Sequence, residues 1–153
     1  MWRLARVTGV SMLPTYRPQD TVLLRPVGPA GPSRGDVAVL RRGAMRLVKR
    51  VVGLGGDRVE MEAGRLFVNG VPVDGRTRVP GPATWVWDVP ADRCFVVGDN
   101  AAASEDSRTW DEPFVPTQDV DAVVLARLPG LRRRTTRVTR RRRPAAARRA
   151  GRS

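Results

Sequence analysis

The chain has 153 residues, one cysteine, no histidine and a formal net charge of +13. The missing histidine excludes Ser-His and Cys-His catalysis and imidazole-ligated zinc, and a lone cysteine forms neither an internal disulfide nor a thiolate cluster. The basic excess belongs to one end: residues 131–153 hold 11 arginines and no acid, which leaves residues 1–130 at a net charge of +2, so the charge is no argument for a nucleic-acid-binding body.

The predicted elements run as follows. Residues 1–10 carry Trp2, Leu4, Ala5 and Val7 broken by Arg3 and Arg6. That run is too short for the apolar region of a signal peptide. Thr8-Gly9-Val10-Ser11-Met12-Leu13-Pro14-Thr15 places a serine behind a permissive glycine and ahead of a proline, where the chain must turn sharply. Such a turn exposes a hydroxyl and can aim a backbone N–H at a carbonyl oxygen. Strands are expected at Thr21–Arg25, Asp36–Arg41, Arg46–Val52, Arg58–Met61, Arg65–Val68, Cys94–Val97 and Ala122–Leu128, several with apolar alternation. Asn69-Gly70 between apolar runs signals a hairpin. Gly53–Asp57 is a tight turn, and Pro26–Pro32 and Val79–Pro82 are Pro/Gly loops. Pro82–Pro90 reads as an exposed loop in which Trp85 and Trp87 either pack normally or form a membrane-facing rim. Cys94 lies in an apolar run and reads as a small buried hydrophobe. Gly98–Arg108 is a long polar loop.

No helical stripe exceeds two turns, and the 15 glycines and 13 prolines favour a mainly β fold, a small barrel or coiled sheet. No apolar stretch approaches the ~20 residues that span a bilayer. The organisation expected is a folded body at 1–130 and a disordered Arg-rich tail at 131–153, too poor in apolar residues to order itself. Its charge suits an anionic membrane surface.

Lys49 stands alone beside 27 arginines. Arginine stays protonated, whereas a desolvated lysine can lose its proton and act as a base. Lys49 lies in Arg46-Leu47-Val48-Lys49-Arg50-Val51-Val52-Gly53, an apolar strand that would depress its pKa.

Four ordered segments, the Ser11 box, Arg34-Gly35-Asp36, the Lys49 strand and Gly98-Asp99-Asn100 running on to Ser104-Glu105-Asp106-Ser107-Arg108, together resemble the type I signal peptidase family. The resemblance covers roughly Val7 to Leu128. It implies a membrane-associated serine endopeptidase on the outer face of the cytoplasmic membrane, with residues 1–130 as catalytic domain, a coiled β-sheet or barrel fold, and no cofactor or metal. It implies Ser11 as nucleophile, Lys49 as general base, Ser104 as the group that orients the lysine amine, and Asp106 and Arg108 as a loop ion pair. Val10, Leu47 and Val48 would contact an extended preprotein signal peptide carrying small residues before the cut. Gly9 stands where some relatives place a hydroxyl that helps hold the oxyanion, so the Ser11 N–H is expected to bear more of that role. Ala101-Ala102-Ala103 replaces the more polar residues relatives often carry. Many relatives have a membrane helix ahead of the serine box, and ten residues precede Ser11 here. The short stretch between Lys49 and Gly98 resembles compact family members. Two other readings remain: a maturation peptidase of the same fold dedicated to one partner, such as leader removal from nickel superoxide dismutase, and a non-enzymatic basic binding module.

Overall fold

The computed structural model describes residues 1–74 and 83–129. The Arg-rich tail expected at 131–153 and the loop expected at Val79–Pro82 lie outside them. Eleven strands occur among the described residues: β1 (Arg3–Arg6), β2 (Thr21–Pro26), β3 (Val37–Arg42), β4 (Met45–Leu54), β5 (Arg58–Glu62), β6 (Arg65–Val68), β7 (Val71–Pro72), β8 (Ala83–Asp88), β9 (Arg93–Val97), β10 (Phe114–Pro116) and β11 (Val120–Leu128).

They build two antiparallel sheets, one of seven strands in the order β1-β2-β11-β3-β4-β9-β10 and one of four in the order β7-β6-β5-β8. The mainly β expectation holds, and the form it takes is the coiled, open one. Neither sheet closes, because β1 and β10 end the larger sheet, and β7 and β8 the smaller.

The larger sheet buries both faces, so its central strands are apolar at successive positions rather than strictly alternating. In β3, Ala38 and Leu40 join a core with Val51, Cys94, Val96 and Val123. Val39, between them, joins Val7, Val22, Leu24 and Ala122 on the other face. A third cluster, with Val52, Val59 and Phe95, spans the two sheets. Cys94 is fully buried, and that burial pushes its thiol up to about 12. Buried Asp57 fastens the junction: it accepts from the Arg34 guanidinium, from Asn69 Nδ2 at 3.0 Å and from the Leu54 N–H at 2.8 Å.

The segment read as an exposed tryptophan loop is instead β8, paired with β5 from Arg58↔Asp88 to Glu62↔Ala83. Trp85 and Trp87 lie on one side of the strand, 6.2 Å apart and nearly parallel. Trp87 packs on Phe95 at 4.9 Å, while Trp85 remains 56% exposed. The two-residue alternation was a strand signal that the flanking prolines obscured.

β4 matters most for the site. Its stretch Met45–Arg50 pairs with β3, from Arg42↔Met45 to Val37↔Arg50, yet pairing with β9 begins only at Arg50↔Val97. The other edge of Met45–Lys49 therefore has no strand partner among the described residues.

Candidate active site

Ser11 sits in the turn after β1. Val7 anchors the entry by exchanging backbone hydrogen bonds with Asp20 and Gln19, both at 2.9 Å. Gly9 adopts φ +77°, a conformation costly for any residue with a Cβ, which accounts for a glycine two residues before the serine. Met12, 2% exposed, plugs the turn into the core, while Ser11 itself stays partly exposed. The Ser11 carbonyl accepts the Asn100 N–H at 2.9 Å, and Asn100 Nδ2 donates to the Val10 carbonyl at 3.1 Å. The Ser11 N–H makes no hydrogen bond to protein among the described residues.

Lys49 is buried at 4% exposure in β4, opposite Ala38. Its Nζ donates to Ser104 Oγ at 2.8 Å. Ser104 in turn donates to Asp106 Oδ2 at 2.6 Å. A serine hydroxyl has one proton, and that proton points at the carboxylate, so Ser104 offers Lys49 a lone pair only. The amine thus spends an N–H on Ser104 and keeps its own lone pair for another direction.

Asp106 is fully buried. Burial pushes its pKa up, but bonds from the Arg108 guanidinium at 2.6 and 2.9 Å, from Ser104, and from the Gly98 N–H at 2.8 Å outweigh it and hold the carboxyl below its usual range. Burial also lowers the Lys49 pKa. Attraction to Asp106, and to Glu105 after it, opposes that shift, and repulsion from Arg108 supports it, so Arg108 offsets part of the carboxylate's pull on the lysine. This is the electrostatic condition a neutral amine needs.

Gly98 joins the two halves of the site. A Cβ there would lie 2.2 Å from Ser104 Oγ, 2.6 Å from Ser104 Cβ and 2.6 Å from the Ser11 carbonyl oxygen. Asp99 provides a further brace, accepting from Arg50 Nε at 2.8 Å, from an Arg50 terminal nitrogen at 2.7 Å and from Thr15 Oγ1 at 2.5 Å. It ties the serine turn to the lysine strand. The run Ala101–Ala103 forms one 3-10 turn closed by the Ala103 N–H on the Asn100 carbonyl at 3.1 Å.

Ser11 and Lys49 share a groove of about 430 Å³ with Leu47, Val48 and Met12, over a floor that includes Leu24 and Val39. Leu47 and Val48 therefore lie where a substrate contact was expected. Val10 does not line the groove and is 44% exposed; its carbonyl is held by Asn100 instead. Beyond it, Val51 exchanges hydrogen bonds with Gly35 and Asp36 on the β3 side, so alternation turns the backbone groups of Val48 and Arg46 to the open edge. No cluster of potential metal ligands occurs among the described residues.

Sequence reasoning placed Ser11, Lys49, Ser104, Asp106 and Arg108, and all five fall in this one region. It missed the work of Gly98, Asp99, Asn100, Arg50 and Thr15. The Gly-Asp-Asn run was visible, but the partners of its side chains lie far away in sequence.

Comparison with known proteins identifies a family. The family described as "Signal peptidase, peptidase S26" matches residues 1–128. Signal peptidase I of Leptolyngbya laminosa is 33% identical over 129 residues, covering 74% of this chain and 62% of that protein. Signal peptidase I S of Bacillus subtilis is 37% identical over 119 residues, covering 67% and 64%. A solved signal peptidase I from Enterococcus faecalis V583 is 27% identical, with a TM-score of 0.49 over 61% of this chain and 97% of that one. The chain spans somewhat under two thirds of the length of those two curated relatives. With a family match running from the first residue to the end of β11, the chain belongs to the signal peptidase family, peptidase S26.

Proposed function

We propose that the chain is a serine endopeptidase that removes N-terminal signal peptides from exported preproteins, with Ser11 as nucleophile and Lys49 as general base. The observation that carries this reading is the buried Lys49 amine, oriented by a serine whose only proton is committed to Asp106.

The neutral amine takes the Ser11 hydroxyl proton as Oγ attacks the carbonyl carbon of the scissile bond. The Ser11 N–H, without a protein partner among the described residues, supports the oxyanion. Lys49, now an ammonium, returns the proton to the departing amine and leaves an acyl-enzyme on Ser11. A water then gives its proton to Lys49 and its oxygen to the acyl carbon, and Lys49 passes that proton to Ser11 Oγ as the acyl C–Oγ bond breaks, which frees the leader and restores the neutral amine. The substrate adds as a strand to the open edge of β4 before Lys49, with small side chains next to Leu47 and Val48. Along this edge of β4 only that stretch is open among the described residues, because β9 occupies the edge from Arg50 onward. Family membership suggests work at the outer face of the cytoplasmic membrane. No helix among the described residues is long and apolar enough to cross a membrane.

The test is cleavage of a precursor with an Ala-x-Ala leader by wild type and Lys49→Arg, with the cut located by mass spectrometry. Arginine keeps bulk and charge but not basicity, so the variant should lose about 10³-fold or more in rate. Equal cleavage by both proteins removes Lys49 from the mechanism.

A further inference from the structure

We propose that the groove selects its substrates by charge, favouring an acidic side chain about four or five residues before the cut, a spacing set by the ~3.3 Å rise of a strand. The inference rests on the peptidase reading above and deepens it.

Among the described residues three arginines, Arg3, Arg6 and Arg46, line the groove, together with Lys49, and no carboxylate does. Arg6 leans on Gln19, with Nη1 3.3 Å from Oε1, and neither it nor Arg3 makes an ion pair among the described residues. Arg46 lies 3.7 Å from Asp121, but that carboxylate is shared with Arg41 at 3.3 Å, which leaves the Arg46 charge only partly offset. The arginines stand on opposite walls, Arg3 on β1 and Arg46 on β4.

Position along the edge fixes which substrate residue they meet. Arg46 precedes Lys49 by three residues, about 10 Å of extended chain. A substrate strand with its scissile carbonyl at the dyad passes Arg46 at about the third residue before the cut, and the long side chain reaches one or two residues further. Nearer the dyad the walls are Leu47 and Val48 and the floor is apolar, which suits small neutral side chains. An anion fits further out, where Arg3 and Arg46 line the groove and no described residue there is a carboxylate. A lysine there meets like charge and is disfavoured.

The experiment uses three otherwise identical Ala-x-Ala peptides with Glu, Gln or Lys at the fourth residue before the cut, in non-ionic detergent. The expected order of kcat/KM is Glu over Gln over Lys, with about tenfold between the extremes at low salt, and the spread narrows several-fold at 0.5 M salt, where screening is short-ranged (~4 Å). Arg3→Gln with Arg46→Gln should flatten the series, and Arg3→Glu with Arg46→Glu should reverse it. If the Gln peptide is cleaved and the wild-type series is flat, the charge inference is overturned while the peptidase reading stands. If no peptide is cleaved, the peptidase reading fails and takes the inference with it.

Discussion

Gly98→Ala is the most discriminating single change, because one methyl group meets both halves of the site. The added Cβ would stand 2.2 Å from Ser104 Oγ, where ordinary contact begins near 3.4 Å, so that oxygen must retreat by about 1.2 Å. The other two collisions, at 2.6 Å with Ser104 Cβ and the Ser11 carbonyl oxygen, involve atoms at or next to the backbone that cannot swing aside. Overpacking of this kind costs about 1–3 kcal/mol of stability. The catalytic cost is larger. The Nζ to Oγ bond of 2.8 Å does not survive a displacement of that size, and misplacement by about 1 Å costs roughly 10²-fold in rate. The assay is kcat/KM on an Ala-x-Ala peptide, with thermal unfolding measured on the same samples. A Ser104→Gly background removes two of the three collisions, so Gly98→Ala should cost less there than in wild type. Wild-type activity and an unchanged Tm in the single variant would refute the close packing of the dyad's two supports on Gly98.

The protonation of Lys49 sets the pH response. Only the neutral amine accepts the Ser11 proton, so kcat/KM should rise with pH through a midpoint below the ordinary lysine value and level off above it. Asp106→Asn removes the larger of the two charges that raise the Lys49 pKa, the other being Glu105, and leaves the Arg108 charge that lowers it, so the acidic limb should move to lower pH as the plateau falls. A lower plateau with an unmoved limb would assign Asp106 a packing role alone. Asp99→Ala strands a half-buried Arg50 and releases Thr15, for a loss of about 2 kcal/mol in thermal or urea unfolding, since the pair is partly solvated. An unchanged midpoint would remove Asp99 as the brace between the serine turn and β4.

Local features of the chain were readable in the sequence, and distant pairings were not. The Asn69-Gly70 turn takes positive φ at both residues, +51° and +79°, as a two-residue hairpin loop requires. The Lys49 strand and the Ser11 turn were legible because a single lysine among arginines, and a serine between glycine and proline, are chemical anomalies at fixed positions. β1 and β10 were missed. β1 is an edge strand exposed along most of its length, so Arg-Leu-Ala-Arg carries little apolar contrast, and β10 is three residues ending in proline. The strand order was also hidden, because β11 inserts between β2 and β3 from the far end of the body. Asp99 and Arg50 are 49 residues apart, and no local pattern in either neighbourhood names the other.

The unpaired edge of β4 also bears on the protein at rest. With nothing bound it offers bare N–H and C=O groups to any extended chain, including a second copy of the same protein. Its brevity limits that hazard, since only Met45–Lys49 is exposed on this side before β9 takes over. Arg46 on the same stretch works as a gatekeeper, since two copies meeting edge to edge would bring like charges together. The residue inferred to sort substrates by charge thus also discourages the protein from sticking to itself.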